Sequence, residues 1–134
     1  MRVGVEELRT LVQRALQAAG ASEAMATSTA RALVLAESQG IGSHGLSRVG
    51  QYTTHLKNGR VDGAAVARVA NQRGGAVQID AGCGLAFPAC ELAVRECIER
   101  ARTHGVAFAG VMNSHHGGVI VDHLRAVADA GMVG

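Results

Sequence analysis

The spacing of apolar residues changes period near residue 60, and this constrains the fold more than any other feature. In VEELRTLVQRALQAAG, Val5, Leu8, Leu11, Val12, Ala15 and Leu16 recur at helical spacing. Glu6 and Glu7 lie in the first turn, and Gly20 marks the stop. Ser22 is placed to cap a second helix, SEAMATSTARALVLAESQG, which ends near Gly40. A third, shorter helix is expected from Ser43 to about Leu56, with KNGRVDGAA as the loop after it. Beyond that loop, AAVARVAN and GGAVQID are short β-prone pieces around a Gly-Gly turn. Pro88 fits the first turn of a helix that ACELAVRECIERARTHG continues to a glycine stop. VAFAGVMN is a continuous apolar run, short enough for a buried strand. VDHLRAVADAG is a further helix, and MVG reads as the start of one more strand.

The order predicts an α/β fold. Residues 1–60 form a helical subdomain, and residues 61–134 the first part of an α/β domain built as strand, helix, strand, helix. No internal repeat is present. The unfinished strand at MVG leaves an edge open. The chain is therefore expected to be the N-terminal portion of a longer protein, or to pair with another chain.

With two Phe, one Tyr and no Trp, the core must be built from Ala, Val, Leu and Ile. A net charge of +2 is too weak to argue for nucleic acid or a membrane surface. No run approaches the ~18 apolar residues of a membrane span. The N-terminus carries two adjacent Glu and no apolar signal core, so a cytoplasmic location is expected. Cys83, Cys90 and Cys97 lie seven apart with no C-x-x-C pair, and they read as small buried hydrophobes in a reducing compartment.

Residues 40–45, GIGSHG, satisfy G-x-G-x-x-G. A dinucleotide loop of that form needs a strand before it and an acidic residue at a strand end some 20 residues on. The preceding ARALVLAESQ is helical in spacing, and Asp62 falls in a loop. The glycines are better read as a turn between helices.

Within the same stretch, His44, Arg48 and Tyr52 recur every fourth residue, roughly one helix face. A titratable imidazole, a fixed cation and a phenol together suit a small anionic substrate. The alternative is a solvated face with a buried Tyr. A second cluster, Asn113, Ser114, His115, His116, Gly117 and Gly118, follows the apolar run directly. Polar groups at the carboxyl end of a buried strand are where α/β proteins place sites, and the two glycines would leave room for a ligand. Here the alternative is a turn with capping residues. A metal site from His115, His116, Asp122 and His123 is disfavoured, because adjacent histidines rarely aim at one ion and no H-x-x-x-H frame exists.

SHGLSRVGQY resembles the S-H-G-x-x-R-x-x-x-Y motif of the malate/L-lactate dehydrogenase family that is unrelated to Rossmann-type lactate dehydrogenases. NSHHGG is similar to that family's N-S-x-H-x-G segment, and the α/β piece between the two resembles its linking unit. The resemblance runs from the first helix to the end of the chain.

It implies a family-specific, non-Rossmann α/β fold, a homodimer, and NAD- or NADP-dependent interconversion of 2-hydroxy and 2-oxo acids. Carried over by position, it implies that His116 is the proton carrier. His44 would orient the substrate oxygen, Arg48 would hold its carboxylate, and Tyr52 would end the first motif. Ser43 and Ser114 would be local caps or supporting donors. The resemblance places no cofactor-binding residue and no metal. Many members carry aromatic residues after the second motif, where this chain has Gly117, Asp122 and His123. The paired histidines and GLAFPA are similar to the family's cyclic-imine reductases, which is the alternative activity. A non-catalytic N-terminal fragment is the other.

Overall fold

The computed structural model describes residues 3–134. Helix α1 spans Val5–Ala18, α2 Glu23–Ser38 and α3 Ser47–Lys57. Strands β1 (Arg68–Arg73) and β2 (Ala76–Asp80) follow, then α4 (Ala86–His104), β3 (Phe108–Met112) and α5 (Ile120–Asp129). Ser22 caps α2 as its position suggests, its Oγ accepting from the Met25 N–H at 3.3 Å.

α2 is the centre of the helical part. Met25, Ala26, Ala30, Leu33 and Val34 are buried along it, and α1 and α4 both pack on it. Small side chains let the neighbouring backbones come close. A polar tie joins α2 to α4: Ser28 donates to Glu91 at 2.7 Å, and Arg31 reaches the same carboxylate oxygen at 3.1 Å. Tyr52, Phe87 and Leu16 are the largest side chains fully enclosed in this core. A second apolar cluster, Val77, Ile79, Ala81, Ala89 and Ala93, joins β2 to α4.

β1 and β2 form an antiparallel hairpin, and α4 carries the chain over to β3, which lies parallel to β2. Parallel pairing brings the carboxyl ends of β2 and β3 side by side, so the loops after them meet. That junction is tightly bonded. Asp80 Oδ1 accepts from the Gly82 N–H (2.9 Å) and the Asn113 amide (3.0 Å), and Oδ2 accepts from Arg68 (2.7 Å). Hydrogen bonds from Gly82 and Asn113 hold the Asp80 carboxyl below the ordinary range. The Cys83 N–H donates to the Asn113 carbonyl at 2.7 Å, and both residues have positive φ, +64° and +52°.

Four expectations are corrected. The third helix does not start at Ser43. Gly42–His44 is a single 3-10 turn, the chain breaks at Gly45, and α3 begins at Ser47. Gly45 lies against α2, where an added Cβ would overlap the Glu37 carboxylate and sit 3.1 Å from its Cα. That carboxylate accepts the Leu46 N–H at 2.9 Å and so caps the α3 entry. VAFAGVMN yields a strand that is only half-buried, with Phe108 exposed, because β3 pairs on one edge alone among the described residues. MVG joins no strand among the described residues; the Met132 N–H instead donates to the Val127 carbonyl and closes the end of α5. Cys83 is exposed, and Cys90 and Cys97 are half-buried rather than enclosed.

Candidate active site

The two sequence clusters converge. The Tyr52 hydroxyl, deep under α3, lies 3.1 Å from Nδ1 of His116. The Gly118 N–H donates to the same nitrogen at 3.2 Å. Burial raises the Tyr52 hydroxyl above its ordinary value against a smaller opposing effect of Arg48, so it stays a neutral phenol, able to donate or accept. The Gly118 N–H only donates and so favours a neutral His116 ring with Nδ1 unprotonated, while the Tyr52 hydroxyl serves either tautomer.

The His44 ring stands 5.3 Å from that of His116, although His44 belongs to the 3-10 turn and not to α3. His44 therefore does not share the α3 face with Arg48 and Tyr52, yet the turn delivers its side chain to the same place. Ser43 Oγ lies 3.0 Å from His44 Nδ1, and the Ser43 carbonyl accepts from Arg48 Nε at 2.7 Å. Arg48 also donates to Gln51 at 3.0 Å, which leaves one terminal nitrogen of its guanidinium unengaged among the described residues. Partial burial, then Arg48 and His44, hold His116 below the ordinary imidazole range.

Ser114 lines the same cleft as Arg48 and His116, its hydroxyl donating to the His115 carbonyl at 2.9 Å. Of the two glycines expected to leave room for a ligand, Gly118 does not, whereas a Cβ on Gly117 would meet only Cys90 Sγ at 3.7 Å. Gly118 has φ +74°, and a Cβ there would lie 2.7 Å from Phe87 Cε1, so packing fills that space. His123 faces the Gly117 carbonyl, 2.6 Å from it, and is taken up by that contact.

Sequence reasoning missed His55, Arg60, Asp80 and Glu37. His55 Nδ1 lies 2.8 Å from His115 Nε2, and the His115 ring meets Tyr52 edge-on at 5.2 Å. His55 lies seven residues after Arg48, the same helical face, and that spacing was the available signal. Asp80 and Glu37 act through tertiary contacts that no local pattern announces. Arg48, His55, Arg60, Cys83, His115 and His116 line one cleft of about 550 Å³. None of its lining residues is acidic. The arrangement can hold an anion beside an imidazole whose Nδ1 is held by a buried phenol and a backbone N–H.

GIGSHG is no phosphate cradle. It follows a helix, its first glycine has φ +77° at the end of α2, and its last packs on Glu37. No described helix is long and apolar enough to cross a membrane.

A family model described as malate/L-lactate dehydrogenase matches residues 3–134. The chain is 39% identical over 131 residues to a (2R)-3-sulfolactate dehydrogenase (NADP(+)) of Chromohalobacter salexigens, covering 98% of this chain and 39% of that protein. It is 35% identical over 133 residues to a Δ1-pyrroline-2-carboxylate/Δ1-piperideine-2-carboxylate reductase of Pseudomonas putida, covering 99% and 39%. Among solved structures, the Δ1-piperideine-2-carboxylate reductase of Pseudomonas syringae superimposes with a TM-score of 0.91 at 32% identity, over 98% of this chain and 40% of that one. The chain spans about two fifths of the length of the curated relatives it matches.

Proposed function

The chain belongs to the malate/L-lactate dehydrogenase family, and from that premise we propose that it carries the substrate and proton-transfer half of an NAD- or NADP-dependent 2-hydroxy-acid oxidoreductase. One observation carries this reading: an acid-free cleft in which Arg48 stands with His116, whose Nδ1 is held by Tyr52 and the Gly118 N–H.

Interconversion of a 2-hydroxy and a 2-oxo acid moves a proton at the C2 oxygen while a hydride leaves or joins C2. The nicotinamide, when bound, supplies or takes that hydride. Arg48 is preset for the substrate carboxylate, because Ser43 and Gln51 already fix two of its nitrogens. His44 flanks the oxygen end beside His116.

His116 Nε2 faces no protein partner among the described residues and is the nitrogen that exchanges the proton. In oxidation, Nε2 must be free to accept, so the ring's own proton moves to Nδ1. Tyr52 permits this, since a hydroxyl accepts as readily as it donates, and the Gly118 N–H, which only donates, gives up its contact with Nδ1 in that tautomer. The lowered basicity of His116 keeps it neutral, hence a base, at physiological pH.

The described residues offer no pyrophosphate cradle at GIGSHG. Residues 1–60 thus contribute the carboxylate grip and residues 61–134 the proton carrier. A cytoplasmic homodimer belongs to this reading, and sedimentation of the purified protein tests the dimer.

A second activity is favoured by the P. putida and P. syringae relatives, whose names specify cyclic imino acids. There the proton goes to nitrogen rather than oxygen. The test is loss of NADH or NADPH with a panel of 2-oxo acids and cyclic imines. Turnover of 2-oxo acids is the expected result. Turnover of imines alone replaces it with the second reading, and a folded protein inert to both panels refutes both.

A further inference from the structure

We propose that the cleft carries a second anion site, formed by Arg60 and His55 with His115 holding the His55 ring, so that its preferred substrate is a dianion bearing one acidic group besides the 2-hydroxy carboxylate. This deepens the function proposed above and rests on it.

The histidines of the second cluster serve opposite ends of the cleft. His116 turns toward Tyr52, His44 and Arg48. His115 turns toward His55, whose ring nitrogen is 2.8 Å away, and feels Arg60. Each pole thus has its own arginine. Arg48 and His55 lie two turns apart on α3, about 10 Å along the axis at 1.5 Å per residue. Both side chains, and Arg60 with them, line the same cleft, so two cationic poles face one space.

Arg60 is exposed, but its backbone is held. Its N–H donates to Asn58 Oδ1 at 3.1 Å, and the next residue, Val61, is buried and bonds the His55 carbonyl at 3.1 Å. No carboxylate pairs with the Arg60 side chain among the described residues, and none lines the cleft. An arginine on a pinned turn, beside a hydrogen-bonded imidazole pair in a cleft without acids, is an arrangement that an anion completes. A monoanionic substrate engages only the Arg48 pole and leaves this one unused.

The test is calorimetric titration of the full-length protein with L-malate and with L-lactate, for wild type, Arg60→Gln and His55→Asn. Wild type is expected to bind malate about tenfold or more tightly than lactate, as one charge-assisted contact provides. In Arg60→Gln that ratio falls to within about twofold of one, and in His55→Asn it falls part of the way. Equal affinities in wild type, or a ratio that survives both variants, overturn the second site. Lactate binding and turnover with no malate advantage would sink this inference alone. Failure of both acids to bind would sink the proposed function with it.

Discussion

Replacing Gly118 by Ala tests how packing under the second cluster holds the candidate proton carrier. Gly118 has φ +74°, where an L side chain costs roughly 1–2 kcal/mol. The added Cβ would also meet Phe87 at 2.7 Å and 3.2 Å. Phe87 is enclosed in the core beside Tyr52 and has little room to retreat. Overpacking of that kind costs roughly 1–3 kcal/mol. The two effects together predict a loss of about 2–5 kcal/mol, or a fall in Tm of about 7–18 °C for a chain of this length. The neighbouring position is the control. A Cβ on Gly117 meets only Cys90 Sγ, at an ordinary 3.7 Å, and Gly117 has no positive φ. Gly117→Ala should therefore stay within about 0.5 kcal/mol of wild type. The assay is urea unfolding of both variants, read beside the His116 ring signals in NMR, because the Gly118 N–H is bonded to that ring. If Gly118→Ala unfolds like wild type and leaves the His116 signals in place, the account of this loop is wrong.

Tyr52→Phe keeps the buried ring but removes the hydroxyl that lets Nδ1 both accept and donate. Turnover should fall tenfold or more, since a bond to a charged ring contributes ~1.5–3 kcal/mol, while Tm changes little. Comparable turnover in the variant would remove Tyr52 from the proton path. Arg48→Ala should raise KM for 2-oxo acids by roughly 10–100-fold, from the same range for a lost charged contact. An unchanged KM would place the carboxylate elsewhere. Burial lowers both His115 and His116, so the unfolded chain binds protons more readily than the native one as pH falls past about 6.5. This stabilising contribution is fully present above that value, declines on acidification, and levels off below the folded values. Urea unfolding at pH 7.5 and 5.5 should show the decline, and His115→Gln should shrink it; greater stability at pH 5.5 would reverse the assigned direction.

Much of this was legible in the residues because the controlling signals are local. The Ser22 cap, the glycine stops at 20, 40 and 105, and the switch to strands all depend on near neighbours, and each is found where the spacing places it. The start of α3 was not legible, because Glu37, eight residues before Gly45, reaches back to cap it and forbids a side chain at Gly45. His44, Arg48, Tyr52 and His116 were named from the motifs; Ser43 and Gln51 hold the first two locally, but what orients Tyr52 and His116 is tertiary. Gly118 carries its φ and its N–H because Phe87 occupies the space beside it. The roles of His55 and Arg60 emerge only when the turn after α3 and the loop after β3 are seen against one cleft. VAFAGVMN misled for the opposite reason. Its apolar run implies burial on two sides, while β3 in these residues is covered by α4 and paired with β2 alone.

The central claim is that His116 moves the proton. It is tested most directly by malate oxidation with NAD or NADP in wild type and His116→Gln, measuring kcat/KM together with malate affinity. The account predicts a fall in kcat/KM of about 10²-fold or more, the usual contribution of a general base, with affinity for malate nearly kept. A variant within a few fold of wild type would contradict it.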